Sequence, residues 1–480
     1  MTTSTVRTRY APSPTGFMHI GNLRSALYEF LIAKHEGGTF VLRIEDTDQE
    51  RYVEGAADAI FETLRLTGLD YDEGPGKEGE YGPYIQSQRK NSYLPEAEGL
   101  VKSGHAYYCF CQKDRLDTLA DHKGIKKYDR HCHSLPQADI DQLLASGTPY
   151  VIRQLIPEGK TTFTDQVFGT ITTDNKELED QILIKSDGMP TYNFANVIDD
   201  HYMAITHVAR GSEYLTSTPK YKLLYDALGW DVPIFVHLPL LLNDTGQKIS
   251  KRNGDASIPD LLAKGFLPAA IINYAAIIGW SPAGDYANQE IFALPELIKA
   301  FESKHISKSP STFDLTKLTW VNTEHIKALP PEEFLALATP YLQTATKYPD
   351  LEKLANIVQS RVSFIQDAGE LVDFIDHLRD YDIALFTHKK MKTNPEVAKE
   401  GLQVAITALS AVENWTHDAL FAAVTQASAE SGLAKGQLLW PIRTALSGKP
   451  TTPCGATEIC ELLGKEETLR RLQVGLEKLC

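Results

Sequence analysis

Arg9-Tyr-Ala-Pro-Ser-Pro-Thr-Gly-Phe-Met-His-Ile-Gly-Asn22 decides the reading of the fold. Two prolines and a glycine exclude a helix from its first half. Before it, Val6 to Tyr10 is short and extended. After it, Leu23, Ala26, Leu27, Phe30 and Leu31 recur at the three-and-four spacing of an amphipathic helix, which Gly37-Gly38 ends. Thr39-Phe-Val-Leu-Arg-Ile44 then reads as a buried strand. The unit is a right-handed βαβ, and a ligand belongs at the carboxyl edge of its first strand. The glycines allow close approach to the backbone. The helix beginning near Gly21 turns its orphan N–H groups and positive dipole end toward that place, which suits a polyphosphate. His19 adds a donor there.

About 230 residues later stands Asn243-Asp-Thr-Gly-Gln-Lys248-Ile-Ser-Lys251-Arg252-Asn-Gly. Two lysines, a serine and an arginine fall within five residues between turn-forming segments. Such a cationic loop is suited to closing over phosphates and neutralising charge during transfer.

The chain has 480 residues, which implies roughly three to five domains or subdomains. Its composition, 42% hydrophobic and 23% charged, is that of a globular protein. A net charge of −15 argues against nonspecific coating of nucleic acid, though a local basic face remains compatible with it. The N-terminus shows no apolar signal region, and the apolar runs Phe235–Leu242 and Ala269–Ile278 fall short of the ~20 residues that span a bilayer. A cytoplasmic protein with no membrane partner is expected. Six cysteines there do not form a disulfide framework. Cys109, Cys111 and Cys132 cluster within 24 residues, with Tyr128, His131 and His133 nearby, a spacing fit for a structural Zn²⁺. Cys454, Cys460 and Cys480 have no evident role.

Helical patterns run to about Leu100. Residues 105–190, with Cys, His and turn-rich strands such as Thr161–Phe163 and Gly169–Thr173, read as an insertion. Strand and helix alternation resumes at Tyr192, and helices dominate from Pro259; Leu351, Leu354, Ile357, Val358, Val362 and Ile365 keep a helical period.

Together the two phosphate-type segments resemble the paired signatures of class I aminoacyl-tRNA synthetases, His-Ile-Gly-His and Lys-Met-Ser-Lys-Ser. The closer resemblance is to the glutamyl branch. It is carried by Arg9-Tyr-Ala-Pro-Ser-Pro-Thr-Gly16, Arg43-Ile-Glu-Asp-Thr-Asp48, Pro190 to Asp200, Thr206-His-Val-Ala-Arg-Gly211 and Lys248-Ile-Ser-Lys-Arg252. Asn273 to Trp280, Lys317 to Asn322 and Trp440 to Gly448 extend it over nearly the whole chain. The resemblance implies an α/β Rossmann-type catalytic domain with an inserted α+β acceptor-binding subdomain, followed by mainly α-helical C-terminal domains. The implied division is 1–104 and 191–258 catalytic, 105–190 inserted, 259–330 a helical stem-contact domain and 331–480 a helical anticodon-binding domain.

The implied reaction activates L-glutamate with ATP and Mg²⁺ and transfers it to the 3′ end of glutamate tRNA, by positioning and charge stabilisation rather than a covalent nucleophile. By resemblance, His19, Lys248 and Lys251 are catalytic, and with Gly21, Asn22 and Ser250 they bind ATP. Asn22 stands where the signature has a second histidine, so no imidazolium acts there. Arg9 and Arg210 would clamp carboxylates, Glu45 would take the ammonium, and Ser13, Tyr192 and Asn196 would add hydrogen bonds. Some members of the family carry zinc in the insertion. Here Cys109, Cys111 and Cys132 are the implied ligands, with Tyr128 or His133 as the fourth. A monomer is expected.

Rival readings are weaker. A glutaminyl enzyme would carry a β-barrel anticodon part, against the helical period after residue 330. A truncated paralogue that modifies a tRNA base would lack the tail. A silent tRNA-binding module predicts damaged phosphate loops, and a different nucleotidyltransferase needs no tRNA-sized second half. Which residues read the anticodon, and whether glutamine tRNA is also charged, stay open at this level.

Overall fold

The computed structural model describes residues 5–47, 53–119, 128–249, 257–348 and 350–480. The chain divides into two compact units, Met1–Lys264 with Pro268–Leu318 and Gly265–Leu267 with Thr319–Cys480.

The first unit opens with strand β1 (Arg7–Tyr10), helix α1 (Ile20–His35) and strand β2 (Thr39–Leu42). β1 and β2 pair in parallel from Arg7 opposite Thr39 to Tyr10 opposite Leu42, which is the expected βαβ unit. The periodicity of α1 suggests one polar face, but its central residues are buried all round, Arg24 and Glu29 included. Both groups find partners inside the fold, while Arg24 Nε and Glu29 Oε2 are left without one among the described residues. Arg24 donates to the carbonyls of Pro239 and Ile278, and Glu29 accepts from Arg9.

Helices α2 (Ala56–Leu66) and α3 (Lys90–Lys102) follow, then β3 (Ala106–Cys109), α4 (Lys113–Asp117), α5 (Gln137–Ala145), β4 (Val151–Gln154), β5 (Lys160–Asp165), β6 (Gly169–Asp174) and β7 (Ile182–Ile184). Next come α6 (Tyr192–Tyr202), β8 (His207–Gly211), α7 (Thr218–Leu228), β9 (Ile234–Leu238) and the short β10 (Leu241–Leu242). β8 and β9 are parallel from His207 opposite Ile234 to Gly211 opposite Leu238. β1 joins them through Arg7 N–H to Thr206 Oγ1 (2.8 Å) and Thr206 N–H to the Arg7 carbonyl (2.9 Å).

The stretch read from sequence as one insertion divides between two sheets. β3, β4 and β7 form an antiparallel sheet of their own, whereas β5 lies parallel to β9 and β6 antiparallel to β5. Asp165, the last residue of β5, makes that junction by accepting the His237 N–H from β9 at 3.0 Å.

The second unit is helical. Its longer helices, Pro331–Leu342, Pro395–Ser410, His417–Ser431, Lys435–Ser447 and Ala456–Lys478, close over a core that includes Phe334, Leu402, Leu420, Leu438, Ile459 and Leu472. The apolar period from Leu351 to Ile365 is not one helix. The helix ends at Val358, and 3₁₀ turns follow at Gln359–Arg361 and Ile365–Asp367. The break is built in: Asn322 Nδ2 donates to the Ser363 carbonyl (2.7 Å) and the Asp367 carboxylate accepts from Phe364 N–H (3.2 Å). Val362 and Ile365 stay in the core, which preserves the apolar pattern without the helix. Among the described residues, no helix is long and apolar enough to cross a membrane.

Candidate active site

A cavity of about 460 Å³ opens at the carboxyl ends of β1, β8 and β9, where a parallel sheet of this kind receives its ligand. Its lining brings together Arg9, Ser13, His19, Gly21, Asn22, Tyr192, Arg210 and Lys248 from segments up to 239 residues apart (248 − 9). Glu45 and Asn196 lie outside that lining. Ser250 and Lys251 lie outside the described residues.

His19 is the N-cap of α1. Its Nδ1 accepts from the N–H groups of Gly21 (3.1 Å) and Asn22 (3.3 Å), so a neutral ring carries its proton on Nε2. This corrects the expectation that the helix tip offers its N–H groups to the ligand: the imidazole already takes two of them. Asn22 closes the capping box, its Oδ1 accepting from His19 N–H at 3.4 Å. A Cβ at Gly21 would stand 3.0 Å from His19 Cε1, so glycine permits the ring to fold back.

On the lysine side, the Asn243 carboxamide accepts from Thr245 and Gln247 and tightens a turn after β10. Lys248 bridges Leu242, and Ile249 N–H donates to Leu241 O at 3.0 Å, which sets both residues on the cavity wall. Lys248 Nζ meets Glu213 Oε1 at 2.6 Å, with both side chains about half exposed. Beyond the undescribed stretch, Ser257 bridges His19 and Ile258 N–H donates to Met18 O at 2.9 Å. Both described ends of the lysine segment are therefore fastened to the cavity wall or to the segment bearing His19.

Arg210 is held differently. It is 7% exposed, with its guanidinium 4.4 Å from the Tyr221 ring, 5.1 Å from Tyr214 and 5.7 Å from Phe235. Nε donates to His237 Nε2 (3.3 Å) and Nη2 to Thr218 Oγ1 (3.2 Å). Among the described residues no carboxylate lies within ion-pair distance of Arg210. A buried cation without a counter-ion is costly, and this one borders a cavity.

Arg9 is the opposite case. Its Nε meets Asp200 (2.9 Å) and its Nη1 meets Glu29 (3.0 Å), both buried. Asp200 also binds Arg43 (2.8 Å). Burial alone would raise the Asp200 carboxyl, but Arg9 and Arg43 hold it below the usual carboxylate range. Glu45 accepts from Arg43 through Oε1 (2.9 Å), while its buried Oε2 has no hydrogen-bond partner. A buried carboxylate oxygen left open calls for a donor, which an ammonium supplies. Asn196 is buried and donates to the Tyr192 carbonyl at 2.9 Å, so it supports the residue that lines the wall.

Away from the cavity, the ligand atoms of Cys109, Cys111 and Cys132 lie within 4.8 Å of one another. The Tyr128 hydroxyl stands 3.2 Å from Cys109 Sγ and 3.4 Å from Cys111 Sγ. His133 instead packs edge-on against Tyr107, ring centroids 5.2 Å apart.

Glu213, Tyr214, Thr218 and His237 were not singled out from sequence. Histidine within Ile234-Phe-Val-His-Leu238 was the available signal, a polar residue interrupting a buried strand.

The family described as tRNA synthetases class I (E and Q), catalytic domain, matches residues 5–320, and an anticodon binding domain family matches residues 333–476. The chain is 54% identical to the glutamate–tRNA ligase of Clostridium novyi (strain NT), over 100% of this chain and 99% of that one. It is 52% identical to that of Clostridium acetobutylicum over 100% of both. Among solved structures, the glutamate tRNA ligase of Elizabethkingia meningosepticum in complex with its amino acid superimposes with a TM-score of 0.88 at 34% identity, covering 99% of this chain and 100% of that one. On the match to residues 5–320 and the identities over the full length, the chain belongs to the class I tRNA synthetases for glutamate and glutamine.

Proposed function

We propose that this protein is a glutamate–tRNA ligase: it activates L-glutamate with ATP to glutamyl-adenylate and pyrophosphate, then transfers the glutamyl group to the 3′ end of glutamate tRNA. The observation that carries the substrate choice is Arg210, a buried cation on the cavity wall without a carboxylate partner among the described residues. Its placement favours the side-chain carboxylate. The α-carboxylate loses its charge on becoming the adenylate, whereas the γ-carboxylate stays anionic through both steps and can stay paired. Glutamine at that position would leave Arg210 unpaired, which is the strong form of discrimination.

The remaining roles are those that the family resemblance assigns. His19, with its proton on Nε2, donates to ATP phosphates brought in with Mg²⁺. Lys248 and Lys251 neutralise charge on the α-phosphate during attack and departure. Gly21, Asn22 and Ser250 complete the nucleotide side. Glu45 takes the α-ammonium on its open Oε2, and Ser13, Tyr192, Asn196 and Arg9 complete the amino-acid side. Residues 105–190 meet the acceptor arm, 259–330 the stem and 331–480 the anticodon, and the enzyme works with its tRNA in the cytoplasm.

The three thiols and the Tyr128 hydroxyl fit a tetrahedral Zn²⁺, and the edge packing of His133 on Tyr107 favours Tyr128 as fourth ligand. The ion would be structural, tying β3 to the turn at His131–Ser134. Metal analysis should return about one zinc per chain, lost in Cys132→Ser; zinc-free protein with unchanged melting would exclude it.

The functional test is ATP–pyrophosphate exchange with glutamate or glutamine, with and without glutamate tRNA. Exchange with glutamate that requires the tRNA is expected. Exchange with glutamine alone would overturn the specificity, and strong exchange without tRNA would overturn the requirement.

A further inference from the structure

Behind Arg210 runs a line of buried groups that the roles above leave unused. His237 has no exposed surface and sits on β9 among apolar neighbours. Its Nδ1 is 2.6 Å from Asp165 Oδ2, and its Nε2 faces Arg210 Nε at 3.3 Å. A guanidinium only donates, so Nε2 must be the acceptor and Nδ1 must carry the proton given to Asp165. Asp165 is itself held by the N–H groups of His237 (3.0 Å), Val167 (2.9 Å) and Phe168 (2.8 Å). The Thr218 hydroxyl donates to Tyr214 O at 2.9 Å, which leaves it an acceptor for Arg210 Nη2. Two neutral acceptors thus fix the guanidinium.

We propose that His237 and Asp165 are positioning residues for glutamate selection: Asp165 locks the tautomer in which His237 accepts from Arg210, aiming the guanidinium without neutralising it. A carboxylate in direct contact would hold the side chain as well and cancel its charge, which is what Asp200 and Glu29 do to Arg9. A neutral acceptor keeps the charge for the substrate. Because Asp165 closes β5, the hairpin β5–β6 braces the amino-acid pocket from within the 105–190 stretch. The proposal rests on the reading of Arg210 as the partner of the substrate carboxylate.

The test compares His237→Leu with His237→Gln in tRNA-dependent exchange, reading the KM for glutamate and for ATP separately. Leucine removes the acceptor, whereas glutamine can accept from Arg210 and donate to Asp165. His237→Leu should raise the glutamate KM about tenfold or more while the ATP KM stays within about twofold, and His237→Gln should recover most of that loss. Parallel rises in both KM values, or a glutamine variant no better than leucine, would overturn it. Should the leucine variant fail to fold, the tautomer decides: ¹⁵N NMR of selectively labelled native enzyme should show His237 protonated on Nδ1, and an Nε2 proton would overturn the proposal. Arg210→Ala run alongside separates the two readings. If it leaves the glutamate KM unchanged, the role of Arg210 falls; if it raises that KM and His237→Leu does not, only the positioning claim falls.

Discussion

Arg210 and Lys248 border one cavity and are held in opposite ways. Lys248 is half exposed and paired with Glu213 at 2.6 Å, whereas Arg210 is buried in an aromatic cage and, among the described residues, donates to the neutral acceptors His237 and Thr218. The difference teaches where each charge is needed. A binding site for a carboxylate that never changes charge can keep its cation fixed and unpaid at all times. A phosphate site must accommodate ATP, an adenylate and pyrophosphate in turn, so its lysine rests on a surface carboxylate that is easily exchanged, because exposed ion pairs are worth only about 0–1 kcal/mol.

The largest effect is expected at the buried cation. Arg210→Ala should lower kcat/KM for glutamate about a thousandfold, near 4 kcal/mol, and leave the ATP KM nearly unchanged. A loss under about tenfold would erase the contrast. Lys251→Ala should depress adenylate formation about a hundredfold while tRNA affinity holds; turnover within about twofold of native would remove the loop from the chemistry. Glu213→Gln sharpens the comparison from the other side. Freed of its resting partner, Lys248 should bind phosphate slightly better, lowering the ATP KM about two- to threefold at low salt, and a higher ATP KM would contradict the resting-pair account.

The smallest effect concerns pH. Burial holds His237 below its ordinary 6.5, against the raising pull of the Asp165 hydrogen bond. A histidine depressed in the fold contributes stability that is present above 6.5 and lost as pH falls through its lowered value. The glutamate KM should therefore be flat from about pH 6.5 to 8.5 and rise only in more acid solution, where a protonated His237 can no longer accept from Arg210. A titration midpoint at or above 6.5 would show His237 charged where neutrality is required.

Local features of this fold were legible because they are written in consecutive residues. The β1–α1–β2 unit follows from Pro12, Pro14 and Gly16 set before a three-and-four apolar period, and the observed pairing of β1 with β2 agrees. Most of the residues expected to hold ATP and glutamate converge on one cavity for the same reason, as they sit at strand ends and helix starts. Long-range polar pairings were not legible. Arg9 and Asp200 are 191 residues apart, His237 and Asp165 are 72 apart, and no periodicity signals either contact. Residues 351–365 misled because burial keeps an apolar pattern even where Asn322 and Asp367 replace the helix with 3₁₀ turns.

The most direct measurement is a crystal structure with a non-hydrolysable glutamyl-adenylate analogue bound. The account predicts the γ-carboxylate within hydrogen-bond distance of Arg210, still in contact with His237, and the phosphate beside His19 and the lysine segment. A γ-carboxylate bound elsewhere, with Arg210 unpaired in its cage, would contradict it.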